Sequence, residues 1–377
     1  MERLLDALRD DPLPPSAVDI ERALTDGRRS VRRRRMASVV AAGCAVLAVA
    51  GGVSVAGLPN AGTPPAVEQS TAAPTPTATP TPSRAPASFD PTRRYATVGW
   101  LPAGMTQLHT LTGTDQFSLR ADPPAGPKDA PSDPAQDVSY VMLRIVPTGY
   151  DIRPLDHGVP FARKEAVTTK WPAETETEPV HGRRARWNTN VAAANGIGLR
   201  WEYAPDAWAE VLVQGRAAGP DHRATARRIA ESVRYGVDEP IPLPFRVPPL
   251  PGTLRPMSVS LHTSTATPRA GWNAGISYGD GKRSANGEWP LAVRAFPRSS
   301  QTGGGGAGEP NTTIDGHAAR RWDWTDADGG EGLGIYGVKG LYVGLVTDDD
   351  TTTRQLPGGL GQLFRGMELY PDPRDWR

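Results

Sequence analysis

The chain has 377 residues, enough for one or two folded domains, and its 42 basic and 41 acidic residues give a formal net charge of +1. After residue 88 there are 32 basic and 33 acidic residues, a balance that excludes a large basic surface, so nucleic acid is not expected as a partner. Because Cys44 is the single cysteine, no intramolecular disulfide stabilises the chain, and the residues after 88 must hold together through a hydrophobic core.

A basic segment, residues 1–35, opens the chain and is too short for an independent domain. Its last eight residues include six arginines: Arg28, Arg29, Arg32, Arg33, Arg34 and Arg35. Arginines at this position predict membrane topology and contact with anionic lipid headgroups. Docking to a cytoplasmic partner is the alternative interpretation.

The uncharged run Met36–Leu58 predicts a single transmembrane helix. At about 1.5 Å per residue it is roughly 35 Å long, enough for a bilayer core of about 30 Å. The arginines on one side place the N-terminus in the cytoplasm and the rest outside. Two alternatives stay open: a signal peptide cleaved after Ser54-Val55-Ala56, and a lipoprotein modified at Cys44.

Residues 59–88 are predicted to be a disordered linker, since they contain eight prolines and six threonines. Such a composition favours extended polyproline geometry and cannot form a core. At about 3.1 Å per residue, the linker holds the following domain up to roughly 90 Å from the membrane.

An internal repeat is predicted in the exported region, with one copy in residues 89–238 and the other in residues 239–377. Leu143–Pro147 resembles Val293–Pro297 at a spacing of 150 residues, and Trp208 matches Tyr342 at a spacing of 134. The change in spacing assigns about 16 extra residues to the first copy, in the loop before Val180.

Each copy is predicted to consist of strands followed by one helix. In the first copy, Met105–Leu119 and Val138–Val146 have strand-like composition, and Asp221–Arg234 has an apolar stripe at helical spacing. A similar stripe ends the second copy, at Leu360, Leu363, Phe364 and Met367. We therefore expect an α+β fold with two antiparallel sheets, each packed against a helix.

The motifs that would indicate catalysis or metal binding are incomplete. The G-x-S-x-G pattern at Gly275–Gly279 is followed by a turn rather than the helix that a nucleophile elbow requires. The acidic run Asp326–Gly329 lacks the flanking ligands of an EF-hand loop, and Asp348–Asp350 is expected to cap the final helix region. The histidines lack the i, i+4 spacing of a helical zinc site. The sequence therefore predicts neither an enzyme nor a cofactor.

Tryptophan is abundant, with ten residues in the chain. Five lie in the better-matched parts of the two copies: Trp187, Trp201, Trp208, Trp322 and Trp324. Two interpretations stay open for them, namely packing within the core or sheet, and an exposed aromatic groove for a ligand such as a glycan or peptide.

The pattern Val180-x-Gly182, followed by Trp201, Trp208 and Ile229–Val233, resembles the exported domains of anti-sigma-factor-like membrane proteins of bacteria of the high-GC Gram-positive type. This resemblance implies a single-pass membrane protein with an extracytoplasmic sheet-and-helix domain. The zinc motif His-x-x-x-Cys-x-x-Cys is absent from this sequence, so inhibition of a sigma factor is not implied.

These observations predict a membrane-anchored, non-enzymatic binding or sensing module that faces the cell envelope. Its expected contacts are the membrane, through one span and the arginine cluster, and an envelope ligand or protein partner. The alternative is a structural or protein-interaction component of the envelope.

Overall fold

A computed structural model describes residues 82–124, 139–152, 162–163, 174–188, 196–267, 271–283, 289–298, 309–323 and 329–376. The predicted basic segment, the predicted span Met36–Leu58 and most of the predicted linker lie outside these residues. In the parts of the chain that the structure describes, no helix combines the length and the apolar character needed to cross a bilayer.

Most of the regular structure in these ranges is β-strand. The strands of the first half are β1 (Arg93–Val98), β2 (Gln107–Gly113), β3 (Phe117–Asp122), β4 (Tyr140–Ile145), β5 (Tyr150–Asp151), β6 (Ala162–Arg163), β7 (Thr175–Val180), β8 (Arg183–Asn188), β9 (Ile197–Ala204), β10 (Ala207–Gln214) and β11 (Val233–Pro240). Those of the second half are β12 (Phe245–Arg246), β13 (Arg255–Ser264), β14 (Trp272–Gly279), β15 (Leu291–Pro297), β16 (Thr312–Ile314), β17 (His317–Asp323), β18 (Glu331–Val338), β19 (Leu341–Thr347) and β20 (Glu368–Leu369). The α-helices are α1 (His222–Ser232), α2 (Asp350–Gln355) and α3 (Gly359–Arg365).

One antiparallel sheet of 14 strands dominates the molecule, in the order β16-β17-β18-β19-β15-β14-β13-β2-β3-β4-β10-β9-β8-β7. The strands β2 and β13 pair at its centre, from Ser258 opposite Gly113 to Ser264 opposite Gln107. We call this pairing the seam, because it joins the first half of the chain to the second. Counted outward from the seam, the strands of the two halves follow the same pattern: β2-β3-β4-β10-β9-β8-β7 in the first half and β13-β14-β15-β19-β18-β17-β16 in the second.

The predicted α+β fold of two sheet-and-helix repeats is wrong. The structure is mostly β, with 51% of the described residues in strands, and the helices are few and short. The physical reason is the seam: β2 and β13, which the prediction assigns to separate sheets, form a continuous hydrogen-bonded ladder with each other. The predicted domain boundaries at residues 88 and 238 stay predictions.

One face of the sheet is apolar and forms the core. The residues that lie opposite one another along this face, from β17 to β8, are Ala319, Ile335, Val343, Ala295, Ala274, Leu261, Thr110, Leu119, Leu143, Val211, Leu199 and Trp187. Directly opposed residues of an antiparallel ladder point to the same side, so this row defines a single apolar face.

Helix α1 packs on the first half of the apolar face. The Asp221 side chain accepts a hydrogen bond from the Ala224 amide at 2.9 Å and so caps its N-terminus. Ile229 and Ala230 are fully buried in the same cluster as Leu199 and Val211. The chain reaches this core before residue 89, because Ala85 is also buried in it.

Helix α3 packs on the second half of the apolar face. Leu360, Leu363 and Phe364 belong to a second buried cluster that includes Leu333 and Val343 of the sheet. All the helices that the structure describes therefore lie on one side of the sheet or at its border, and they leave the other side without a helical layer.

Candidate functional site: the polar face of the sheet

The face of the sheet opposite the core is lined by polar and charged side chains, and we call it the polar face. Its most continuous row, from β17 to β7, consists of Arg320, Gly334, Gly344, Arg294, Gly275, Ser260, Leu111, Ser118, Arg144, Glu210, Arg200, Arg186 and Glu176. Only Leu111 in this row has a large apolar side chain, in contrast to the row on the apolar face. The alternation of side chains between the two sides of each strand produces both rows.

Two histidines meet at the seam, in the middle of the polar face. His109 of β2 lies opposite His262 of β13, and their rings stack with centroids 4.0 Å apart and planes 4° apart. The pKa of each imidazole is lowered from 6.5 to about 4, mainly by burial and, for His109, also by the positive charge of Arg120. The pair is therefore neutral at pH 7.

Polar neighbours hold each ring of the histidine pair in place. His109 Nε2 lies 3.3 Å from Asp122 Oδ2, and the Asp122 carboxylate also accepts hydrogen bonds from Nε and Nη2 of Arg120 at 2.6–2.9 Å. His262 Nε2 lies 2.9 Å from Gln107 Oε1. These contacts orient both imidazoles across the seam, where each half of the chain contributes one ring.

A buried cluster of charges lies on the polar face of the first half. Glu210, whose side chain is fully buried, accepts a hydrogen bond at 2.7 Å from Nε of Arg200, which is 4% exposed. Arg144 Nη1 lies 3.6 Å from the other Glu210 oxygen, and Arg200 also pairs with Glu174. Arg186 pairs with Glu174 in turn. Each arginine of this cluster thus has a carboxylate partner, as a buried charge requires.

The polar face of the second half carries aromatic rings. Tyr342 stacks on Phe296 with centroids 4.7 Å apart and meets Tyr336 edge-on at 5.3 Å. The Tyr342 ring lies over glycine backbone, because a Cβ added to Gly334 would come within 2.5 Å of its hydroxyl. Glycine on these strands therefore gives the ring room to lie flat against the sheet.

A cleft opens beside the aromatic rings, at the ends of β15 and β18. Its volume is about 490 Å³, and its lining consists of Arg298, Pro310, Gly316, His317, Ala318, Tyr336 and Gly337. The Arg298 side chain lies against the backbone of Gly337, because a Cβ added to Gly337 would lie 3.2 Å from Nη1 of Arg298. The cleft thus combines a guanidinium, an imidazole and an aromatic ring.

The structure separates the tryptophans predicted to form a ligand groove. Trp187 and Trp201 lie on the apolar face, where Trp201 is fully buried and donates a hydrogen bond to Tyr235 Oη at 2.8 Å. Trp208 and Trp322 lie on the polar face, about 40 Å apart along the sheet. Trp324 lies outside the described residues. A ligand role for Trp208 and Trp322 stays a prediction, as does the membrane role of the six arginines.

The motifs set aside on sequence grounds occupy structural positions. Ser277 lies inside β14 opposite Ser258, not at a strand-to-helix turn. Asp349 caps α2 by accepting a hydrogen bond from the Thr352 amide. Among the residues whose placement is described, no group of three or more His, Cys, Asp or Glu side chains is arranged to hold a metal ion.

Sequence reasoning did not identify the polar face, although the signal was present. The run Tyr140–Ile145 alternates intermediate and buried residues, with Met142 and Arg144 on the polar side. Period-2 alternation marks the two faces of each strand, but it does not say which strands are neighbours. The face becomes visible only once the order of the strands is known.

The chain is similar to MucB in two solved structures, the complex of MucB with MucA(peri) and the MucA/MucB complex of Pseudomonas aeruginosa. In both cases the identity is 12%, the match covers 70% of this chain and 93% of that chain, and the TM-score is 0.20. A TM-score this low supports no statement about a shared fold or function. No protein-family model matches the chain, and no curated protein matches its sequence.

Proposed function

We propose that the chain is a non-enzymatic, extracytoplasmic binding module whose binding surface is the polar face of the sheet. In this proposal Met36–Leu58 anchors it in the cell membrane, and the arginines at residues 28–35 contact anionic lipid on the cytoplasmic side. The proposal agrees with the resemblance to exported domains of anti-sigma-factor-like proteins.

The observation that carries the proposal is the residue content of the polar face. An antiparallel sheet tolerates one solvated face, so exposure alone is no argument. This face, however, carries Phe296, Tyr336 and Trp322 beside several arginines. Aromatic residues and arginine are the types enriched in binding interfaces, whereas lysine and glutamate are depleted there.

The alternative is a structural or protein-interaction component of the envelope, and the width of the sheet favours it. Fourteen strands at about 4.8 Å spacing extend roughly 60 Å. A surface of this width is wider than a small ligand requires, and it accommodates a protein partner.

Site-directed photocrosslinking of the full chain in its native membrane tests the proposal. A photoreactive benzoylphenylalanine replaces Phe296 or Asn273 on the polar face, and a control chain carries it at the exposed Arg246 of β12. We expect a discrete adduct from the polar-face positions and none from position 246. Absence of adducts at the polar face, or equal adducts at position 246, would contradict the proposal.

A further inference from the structure

The charged residues of the polar face differ between the two halves of the sheet. In the first half, Arg144, Arg186 and Arg200 are compensated by Glu210 and Glu174. On the polar face of the second half, the opposed residues of the described strands include Arg294, Arg320 and aromatic residues but no Asp or Glu, because the opposed pair Asp323 and Glu331 lies on the other side of the sheet. At these strand positions of the second half, the charged side chains on the polar face are therefore arginines.

Arg298 is the cation best placed to meet a ligand. Its exposed guanidinium lines the cleft and forms no ion pair with any residue that the structure describes. Asp315, which precedes the cleft residue Gly316, pairs with Arg365 at 3.0 Å. A guanidinium presents a planar fork of donors that matches a carboxylate.

An aromatic surface continues from the cleft across the sheet. Tyr336 lines the cleft, meets Tyr342 edge-on, and Tyr342 stacks on Phe296. Tyr342 is buried, whereas Tyr336 and Phe296 are half-buried and expose part of their rings. Across about two strand spacings, or roughly 10 Å, a ligand would meet the Arg298 guanidinium and the ring faces of Phe296 and Tyr336.

The backbone of this region is already satisfied. Strands β15, β17, β18 and β19 are each paired on both sides within the sheet. An extended peptide therefore cannot bind across Arg298, Tyr336 and Phe296 by strand addition, which needs a free sheet edge such as that of β16. Recognition must come from side chains, and the side chains offered are a carboxylate-binding guanidinium and flat aromatic rings.

We propose that the patch formed by Arg298, Tyr336 and Phe296 binds a ring-containing carboxylate, the chemistry of an acidic saccharide. This inference rests on the proposed function of the polar face. The volume of the adjacent cleft, about 490 Å³, is within the range of small-molecule sites. Arg298 pairs with the carboxylate, and Tyr336 and Phe296 pack against the apolar face of the sugar ring.

Isothermal titration of the purified full chain in detergent tests this inference with defined probes. We expect trigalacturonate to bind, and neutral maltotriose, which has the same number of rings, to bind at least tenfold more weakly. Arg298→Gln should weaken trigalacturonate binding at least tenfold, and Tyr336→Ala should weaken it similarly, whereas Tyr336→Phe should keep most of it. Arg246→Gln, an exposed arginine elsewhere, is the control and should change nothing.

Three results would overturn the inference: no binding of trigalacturonate, binding that is insensitive to Arg298→Gln, or equally tight binding of hexaglutamate through the same residues. The last result would assign the patch to an acidic peptide. Photocrosslinks at Phe296 or Asn273 without trigalacturonate binding would leave the proposed function standing and overturn this inference alone. Melting temperatures of the variants distinguish lost binding from lost folding.

Discussion

Single residues set the charge balance of the polar face, and Glu210 is the clearest case. Its carboxylate is fully buried between Arg200 and Arg144. Glu210→Gln leaves both guanidiniums without that charge, so we expect the free energy of unfolding to fall by about 3–5 kcal/mol. Urea unfolding of the full chain measures it.

The matched control is Glu202→Gln. Glu202 pairs at 3.0 Å with Arg184, whose side chain is 57% exposed, so the pair is screened by solvent. We expect Glu202→Gln to change the free energy of unfolding by at most about 1 kcal/mol. Equal losses in the two variants would show that Glu210 is not held in a buried ion cluster.

The histidine pair at the seam makes stability depend on pH. Both pKa values are about 4 in the folded protein, below the ordinary 6.5, so the folded state binds fewer protons than the unfolded state. The contribution of the two neutral imidazoles to the free energy of unfolding is fully present above pH 6.5, falls as the pH drops, and is lost below about pH 4. His109 also faces Arg120 and Asp122, and His262 faces Gln107.

The variant His109→Gln/His262→Gln should therefore flatten the decline of the melting temperature between pH 6.5 and 4. Each single variant should remove part of it. A pH profile identical to that of the natural chain would mean that the imidazoles do not resist protonation at the seam.

Individual elements of the fold were predictable to different degrees. The apolar stripe of Asp221–Arg234 predicted α1, which spans His222–Ser232. The run Met105–Leu119, predicted as one strand, is the hairpin of β2 and β3. A turn between two strands of similar composition leaves little local signal when it lacks the Asn-Gly or Asp-Gly pair of tight hairpins.

Glycines on β18 distinguish the polar face from an ordinary strand surface. A Cβ on Gly332 would come within 2.0 Å of the Trp322 ring, so Gly332→Ala must displace that ring. We expect the free energy of unfolding of this variant to fall by about 1–3 kcal/mol, and the near-ultraviolet circular dichroism of tryptophan to change.

Gly361→Ala is the contrasting variant. Gly361 lies in α3, and its added Cβ would be 3.2 Å from Arg321 Nη2, the flexible end of a long side chain. Alanine has a higher helix propensity than glycine, so we expect the free energy of unfolding to rise by about 0.5–1 kcal/mol. If Gly332→Ala were as well tolerated as Gly361→Ala, Trp322 would not lie flat over β18.

At the scale of the whole molecule, the seam explains why the sequence suggested two sheets while the chain forms one. Alternation and turn residues predict where strands begin and end, but pairing between β2 and β13 joins residues about 150 positions apart. No local pattern specifies such a partner, because an edge strand and an interior strand can share the same period. The polar face, which depends on this pairing, was hidden for the same reason.

Hydroxyl-radical footprinting of the full chain tests most directly the claim that the polar face is the binding surface. Met142, Phe296 and Tyr336 are half-buried reporters on that face, and Met367 and Trp376, which pack against the second core cluster, are references away from it. We expect the three reporters to be oxidised in the purified protein and protected in the native cell envelope, while the references react equally in both. Equal oxidation of Met142, Phe296 and Tyr336 in the two preparations would contradict the account.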